Sequence, residues 1–135
     1  MTDIPLEARE SRLTEFPISF FAIVMGLAGL TLATRAAEHA LALGPVASLY
    51  MLYASVGVFG LVALFYLSKA LVFPDSVVAE WRHPVRIAFF PAISISMLLI
   101  ATAAAPHFPD LARPLWLAGA ALQAALTLAV VASWI

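Results

Sequence analysis

The chain has 135 residues, of which 64% are hydrophobic and 11% charged; a soluble domain of this size carries roughly 25% charged residues on its surface. Its net charge is -1 with no basic block, which argues against nucleic acid as a partner. With no cysteine, disulfides, thiolate metal sites and cysteine nucleophiles are excluded.

Four stretches lack Asp, Glu, Lys, Arg and His: Phe16 to Thr34, Ala40 to Ser68, Ile87 to Pro106 and Pro114 to Ile135. Each reaches or approaches the ~20 apolar residues that a helix needs to cross a hydrocarbon core. None alternates apolar and polar as a barrel strand does. The reading is therefore an all-α integral membrane protein with four transmembrane helices in two hairpins.

Residues 1–15 are polar and of mixed charge, unlike the basic start of a signal peptide, so the first apolar run is expected to be retained. The transmembrane region spans 16–135. Span 1 is predicted at about 16–34, with Pro17 in its first turn, and Arg35 and Glu38 beyond it can pair. Gly44-Pro45 breaks the chain before span 2, at about 46–71. The connection from Val72 to His83 carries a turn signal at Phe73-Pro74-Asp75. Pro84 opens span 3, at about 84–105, and Pro114 opens span 4, at about 114–135.

Orientation follows from Lys and Arg. With the N-terminus inside, Arg9, Arg12, Lys69, Arg82 and Arg86 are cytoplasmic, and Arg35 and Arg113 are outside. Five against two predicts a multi-pass cell-membrane protein with both ends in the cytoplasm. Tyr50, Tyr66, Trp81, Trp116 and Trp134 fall near span ends, as interfacial aromatics do. The chain stops at Ser133-Trp134-Ile135 without a polar tail, which predicts the N-terminal part of a longer protein.

The segment from Pro17 to Arg35 holds Phe20-Phe21, then Gly26-Leu27-Ala28-Gly29-Leu30. It resembles the first helix of the tellurite-resistance/C4-dicarboxylate transporter family, which includes the slow-type anion channels. A second stretch, His83-Pro84-Val85 followed by Phe89-Phe90 and Ile93-Ser94-Ile95-Ser96, is similar to that family's third helix. The resemblance implies ten helices in five hairpins around a pore, with odd helices lining it, even helices outside and trimeric assembly. Two of the five hairpins would be present. The family's occluding phenylalanine lies on a late helix, so no residue takes that role.

The candidate pore-lining or helix-packing residues are Phe20, Gly26, Gly29, Pro91, Ser94 and Ser96. Small residues at Gly26 and Gly29 let helices approach closely, or leave a lumen open; both can hold on different faces. Pro91 predicts a kink or irregular turn in span 3. Ser94 and Ser96, two apart, point to different faces and bond back to their own helix or face protein or pore. Arg82 and Arg86, with His83, form a cationic mouth that attracts anions or lipid phosphates, partly neutralised by Glu80. His39 and His107 fall in loops with no metal-ligand spacing. The spans contain no buried ionisable residue, which favours a passive pathway over an ion-coupled carrier. Nothing points to an enzyme, a metal or a cofactor.

The leading expectation is transport of small anions, such as dicarboxylates, chloride or oxyanions, by a homo-oligomer in a lipid bilayer. A non-transporting scaffold or assembly subunit is the alternative, and the reading frame beyond Ile135 separates the two.

Overall fold

The computed structural model describes residues 16–135, so the polar segment 1–15, including Arg9 and Arg12, lies outside it. Among the described residues, four helices are long and apolar enough to cross a membrane. Pro17 is extended and a 3-10 turn, Ile18–Phe20, leads into α1, Phe21–Ala40. The α1 helix does not stop at Thr34: it runs on through Arg35 and Glu38, because nothing in Ala33–Ala40 breaks a helix. It ends in a Schellman motif, in which the Leu43 amide donates to the Glu38 carbonyl and the Ala42 amide to that of His39, at 2.8 and 3.2 Å. Ala42 takes φ 55°, a conformation that favours glycine.

Helix α2 spans Val46–Val72. Its first turn is capped by the preceding helix: Glu38 Oε1 accepts from the Ala47 and Ser48 amides at 2.7 and 3.1 Å. A carboxylate at a helix N-terminus meets both its unpaired amides and its dipole. That geometry replaces the expected Arg35–Glu38 pair; the ion pair found among the described residues is elsewhere. The connection to span 3 is also more ordered than a turn. Pro74 serves as a first helical residue, and Pro74–Arg82 forms a short helix, α3.

Span 3 begins irregularly. A 3-10 turn, Arg86–Phe89, precedes α4, Pro91–Ala104. The expected start of the helix at Pro84 is thus moved to Pro91, which has no amide to carry an α-helix through from upstream. The last helix, α5, spans Pro109–Trp134 and starts at Pro109, placing Pro114 inside it.

The hairpins α1–α2 and α4–α5 are joined through contacts between α1 and α4. The first and third spans therefore meet at the centre, with the second and fourth on the flanks. Half of the third span's most apolar window is buried, against 11% of the fourth's. Ile18, Phe21, Val24 and Ala28 pack with Leu52, Val62 and Tyr66 of α2 and with Phe90, Ala92, Ile100 and Ala103 of span 3. In hydrocarbon this contact gains little from water release, so close packing and hydrogen bonds hold the helices together.

Each of those three helix contacts contains a hydroxyl. Thr31 and Ser55 lie 3.1 Å apart between α1 and α2. Ser96 Oγ sits 3.3 Å from the Phe21 carbonyl, between α4 and α1. Ser94 Oγ is 2.6 Å from Gln123 Oε1, between α4 and α5. An interhelical hydrogen bond contributes about 0.6–2 kcal/mol in a membrane; Ser96, whose one proton is held more closely by the Ala92 carbonyl, supplies a weaker polar contact.

Candidate functional site

Helix α1 has two unlike faces. Phe21, Val24, Ala28 and Thr31 are buried, whereas Ala22, Ile23, Gly26, Leu30 and Ala33 are exposed. A Cβ built on Gly26 or Gly29 meets no atom within 4 Å, so neither glycine marks a helix contact within the described residues. Phe20, at the head of this face, is 37% exposed and touches Phe16 edge-on at 4.6 Å. The close approach of helices lies instead at Gly119 of α5, where a Cβ would come within 3.2–3.3 Å of Leu98 and Met97. Small side chains thus serve packing in the second hairpin and leave an open face in the first.

The candidates on span 3 are on the packed side. Ser94 and Ser96 are fully buried. Both bond back to their own helix: Ser96 Oγ donates to the Ala92 carbonyl at 2.6 Å, and Ser94 Oγ lies 2.8 Å from that of Pro91. Their two-residue spacing directs Ser94 to α5 and Ser96 to α1, on different faces as period 3.6 requires. Pro91 heads the same helix, and the two serines meet α5 and α1 and do not join Gly26 and Gly29. Gln123, which meets Ser94 from the neighbouring span, was not singled out because one amide leaves an apolar run unbroken.

A polar cluster lies at one end of the bundle, and the spacing of charges along the chain did not reveal it. Lys69 Nζ donates to Glu80 Oε1 at 2.6 Å and to the Phe16 carbonyl at 2.8 Å. Tyr66 donates its hydroxyl to Glu80 Oε2 at 2.9 Å. Lys69 is 0% exposed and Glu80 3%. The expectation that the spans hold no buried ionisable residue therefore fails at Lys69, inside α2. Glu80 is taken up by this pair and is not available to Arg82, His83 or Arg86. Tyr66 is a core residue and not an interfacial one.

The signal was present in α3. Phe73, Val77 and Trp81 recur at a spacing of four and are half-buried, with Glu80 buried beside them. A carboxylate on the inward stripe of a helix needs a buried cation or donors. The rings reinforce the junction: Tyr66 meets Phe21 and Phe90 edge-on at 6.0 and 6.4 Å, and Trp81 meets Phe90 at 4.9 Å. Spans 1, 2 and 3 and helix α3 are thereby tied at one point.

Arg82 and Arg86 are exposed and stand outside that neutral cluster. Arg86 lies in the 3-10 turn and not in the first turn of an α-helix, where the dipole would disfavour a cation. The arrangement combines an apolar bundle, an open face on α1 bearing Gly26 and Gly29, and at one end the cations Arg82 and Arg86, which have no ion-pair partner among the described residues. It is the arrangement of a membrane-spanning helix bundle; among the described residues no group of three or more His, Asp and Glu is placed to hold a metal ion.

Comparison with known proteins agrees. The chain is 34% identical to the S-type anion channel SLAH2 of Arabidopsis thaliana over 66% of its length, covering 18% of that protein. It is 31% identical to the guard cell S-type anion channel SLAC1 of the same plant, over 78% of its length and 20% of the relative's. An uncharacterized transporter of Methanocaldococcus jannaschii shares 25% identity over 67% of the chain and 27% of its own length. The chain thus spans about a fifth of the length of the plant relatives. No solved structure matches it significantly. Residues 15–135 match the model of the voltage-dependent anion channel family, a family of channels and not of enzymes, and the chain belongs to that family.

Proposed function

We propose that this chain forms part of a passive membrane pathway for small anions, such as chloride, dicarboxylates or related oxyanions. The observation that carries the reading is the family match over residues 15–135, supported by relatives whose names are those of anion channels. Two features of the geometry support a route along α1. Spans 1 and 3 are central, and the face bearing Gly26 and Gly29 is open. That face, with Phe20 at its head, lines the route, and Arg86 raises the local anion concentration at its mouth. Assembly is as a homo-oligomer, a trimer by analogy with the family, and the N-terminus is cytoplasmic.

The test is anion flux through liposomes or oocyte membranes carrying the whole reading frame that contains residues 1–135. Gly26→Leu is expected to lower flux severalfold while leaving helix content and thermal stability near wild type, since no neighbour within the described residues stands against the new side chain. Arg86→Gln is expected to lower flux most at low salt, where a mouth charge is least screened. Flux that never exceeds that of empty membranes would sink the proposal and favour a scaffold. Orientation is tested separately, since the 135 residues hold no cysteine: Asp75→Cys should react only from the cytoplasm and Asp110→Cys only from outside.

A further inference from the structure

A groove of about 430 Å³ lies between the end of α3 and the last turn of α5, lined by Trp81, Arg82, His83, Ile87, Ser133 and Trp134 among others. We infer that it binds the phosphate of an anionic phospholipid headgroup. Its charge follows from the cluster described above. Both oxygens of Glu80 are engaged by Lys69 and Tyr66, which leaves Arg82 without a counter-charge among the described residues.

The histidine is also oriented. His83 Nδ1 accepts the Val85 and Arg86 amides at 3.2 and 3.3 Å. The neutral ring must then carry its proton on Nε2, where it serves as a donor. Ser133 spends its hydroxyl proton on the Ala129 carbonyl at 2.7 Å. The side chains thus offer guanidinium, imidazole and indole N–H groups and no carboxylate, a set suited to a phosphate.

The apolar side of the groove argues for a lipid over a free anion. Ile87 is buried in its lining, and Val131, one turn before Trp134, is exposed on α5, the least buried span. A headgroup held at Arg82 and His83 lets its acyl chains run down that surface. Two tryptophans mark the depth at which headgroups lie. Basic pockets between spans are known to hold anionic headgroups. No residue of α1 lines the groove, so it is separate from the open Gly26 face.

The experiment places the whole protein in nanodiscs of phosphatidylcholine, with or without an equimolar share of phosphatidylglycerol. It reads thermal stability there and, after detergent extraction, the lipids retained by native mass spectrometry. Wild type should gain stability from phosphatidylglycerol and retain it selectively. Arg82→Gln should weaken retention about fivefold, and Arg82→Gln with His83→Gln more. Arg113→Gln, at the opposite end of α5, should leave it unchanged. Equal loss in Arg113→Gln would mean diffuse surface charge and overturn the site. Inorganic phosphate stabilising phosphatidylcholine discs as well as phosphatidylglycerol does would identify a soluble ligand and overturn the lipid. No preference for phosphatidylglycerol would overturn both.

Discussion

Two glutamates are buried at opposite ends of α2, and they are accommodated in different ways. Glu80 meets a full ammonium and a phenol, with both carboxylate oxygens engaged. Glu38, 7% exposed, meets only backbone amides at one oxygen, while Oε2 and the nearby Ser48 hydroxyl are buried without partners among the described residues. One end neutralises charge with charge, and the other spreads it over the amides and dipole of a helix N-terminus. Buried acids in a membrane protein therefore differ greatly in how much rests on their charge.

The largest effect should come from Glu80→Gln, which leaves Lys69 buried without its counter-ion. A loss of about 3–5 kcal/mol is expected, read from thermal or denaturant unfolding in detergent. Replacing both members, Lys69→Met with Glu80→Met, should recover at least half of it. A single variant no worse than the double would break the idea that the two charges balance each other.

At the other end, Glu38→Ala should cost about 1 kcal/mol, as loss of a helix cap does. Glu38→Gln should cost less, because its carbonyl still accepts from Ala47 and Ser48 and its amide can donate to the Ser48 hydroxyl. Glutamine costing as much at Glu38 as at Glu80 would erase the distinction between the two ends. The smallest effect sharpens the local nature of this end. Ala42→Gly removes a Cβ from a left-handed residue in the same turn and should raise stability by about 0.5–1 kcal/mol.

These two ends also mark how far the sequence could be read. Four apolar runs without charge were visible at once, since a helix in hydrocarbon needs little beyond length and apolarity. Prolines were harder. Pro17, expected in the first turn, stands just ahead of it; Pro74 begins a helix where a turn was expected; and Pro114, expected to open span 4, lies within a helix. A proline is compatible with a first turn and with a loop alike, and only neighbouring packing decides. For the candidate site, Gly26 and Gly29 were legible as small residues, yet their spacing is the same whether a face is packed or open. Gly119 shows the packed case. Lys69 and Tyr66 looked like an interfacial charge and ring, because their partner Glu80 sits in a helix whose inward stripe is only nine residues long.

Lys69 and Glu80 are also separated in time. They lie eleven residues apart, so a ribosome adding about 5–20 residues per second delivers the acid roughly 0.5–2 s after the base. During that interval the ammonium has no counter-ion from its own chain downstream, and it resists burial. Its partner arrives on a nine-residue amphipathic helix, and pairing then brings Lys69 against a carbonyl made 53 residues earlier. The first span's start is thus fastened only after the second span has been synthesised. A nascent chain arrested before Glu80 would hold two inserted helices and an open latch.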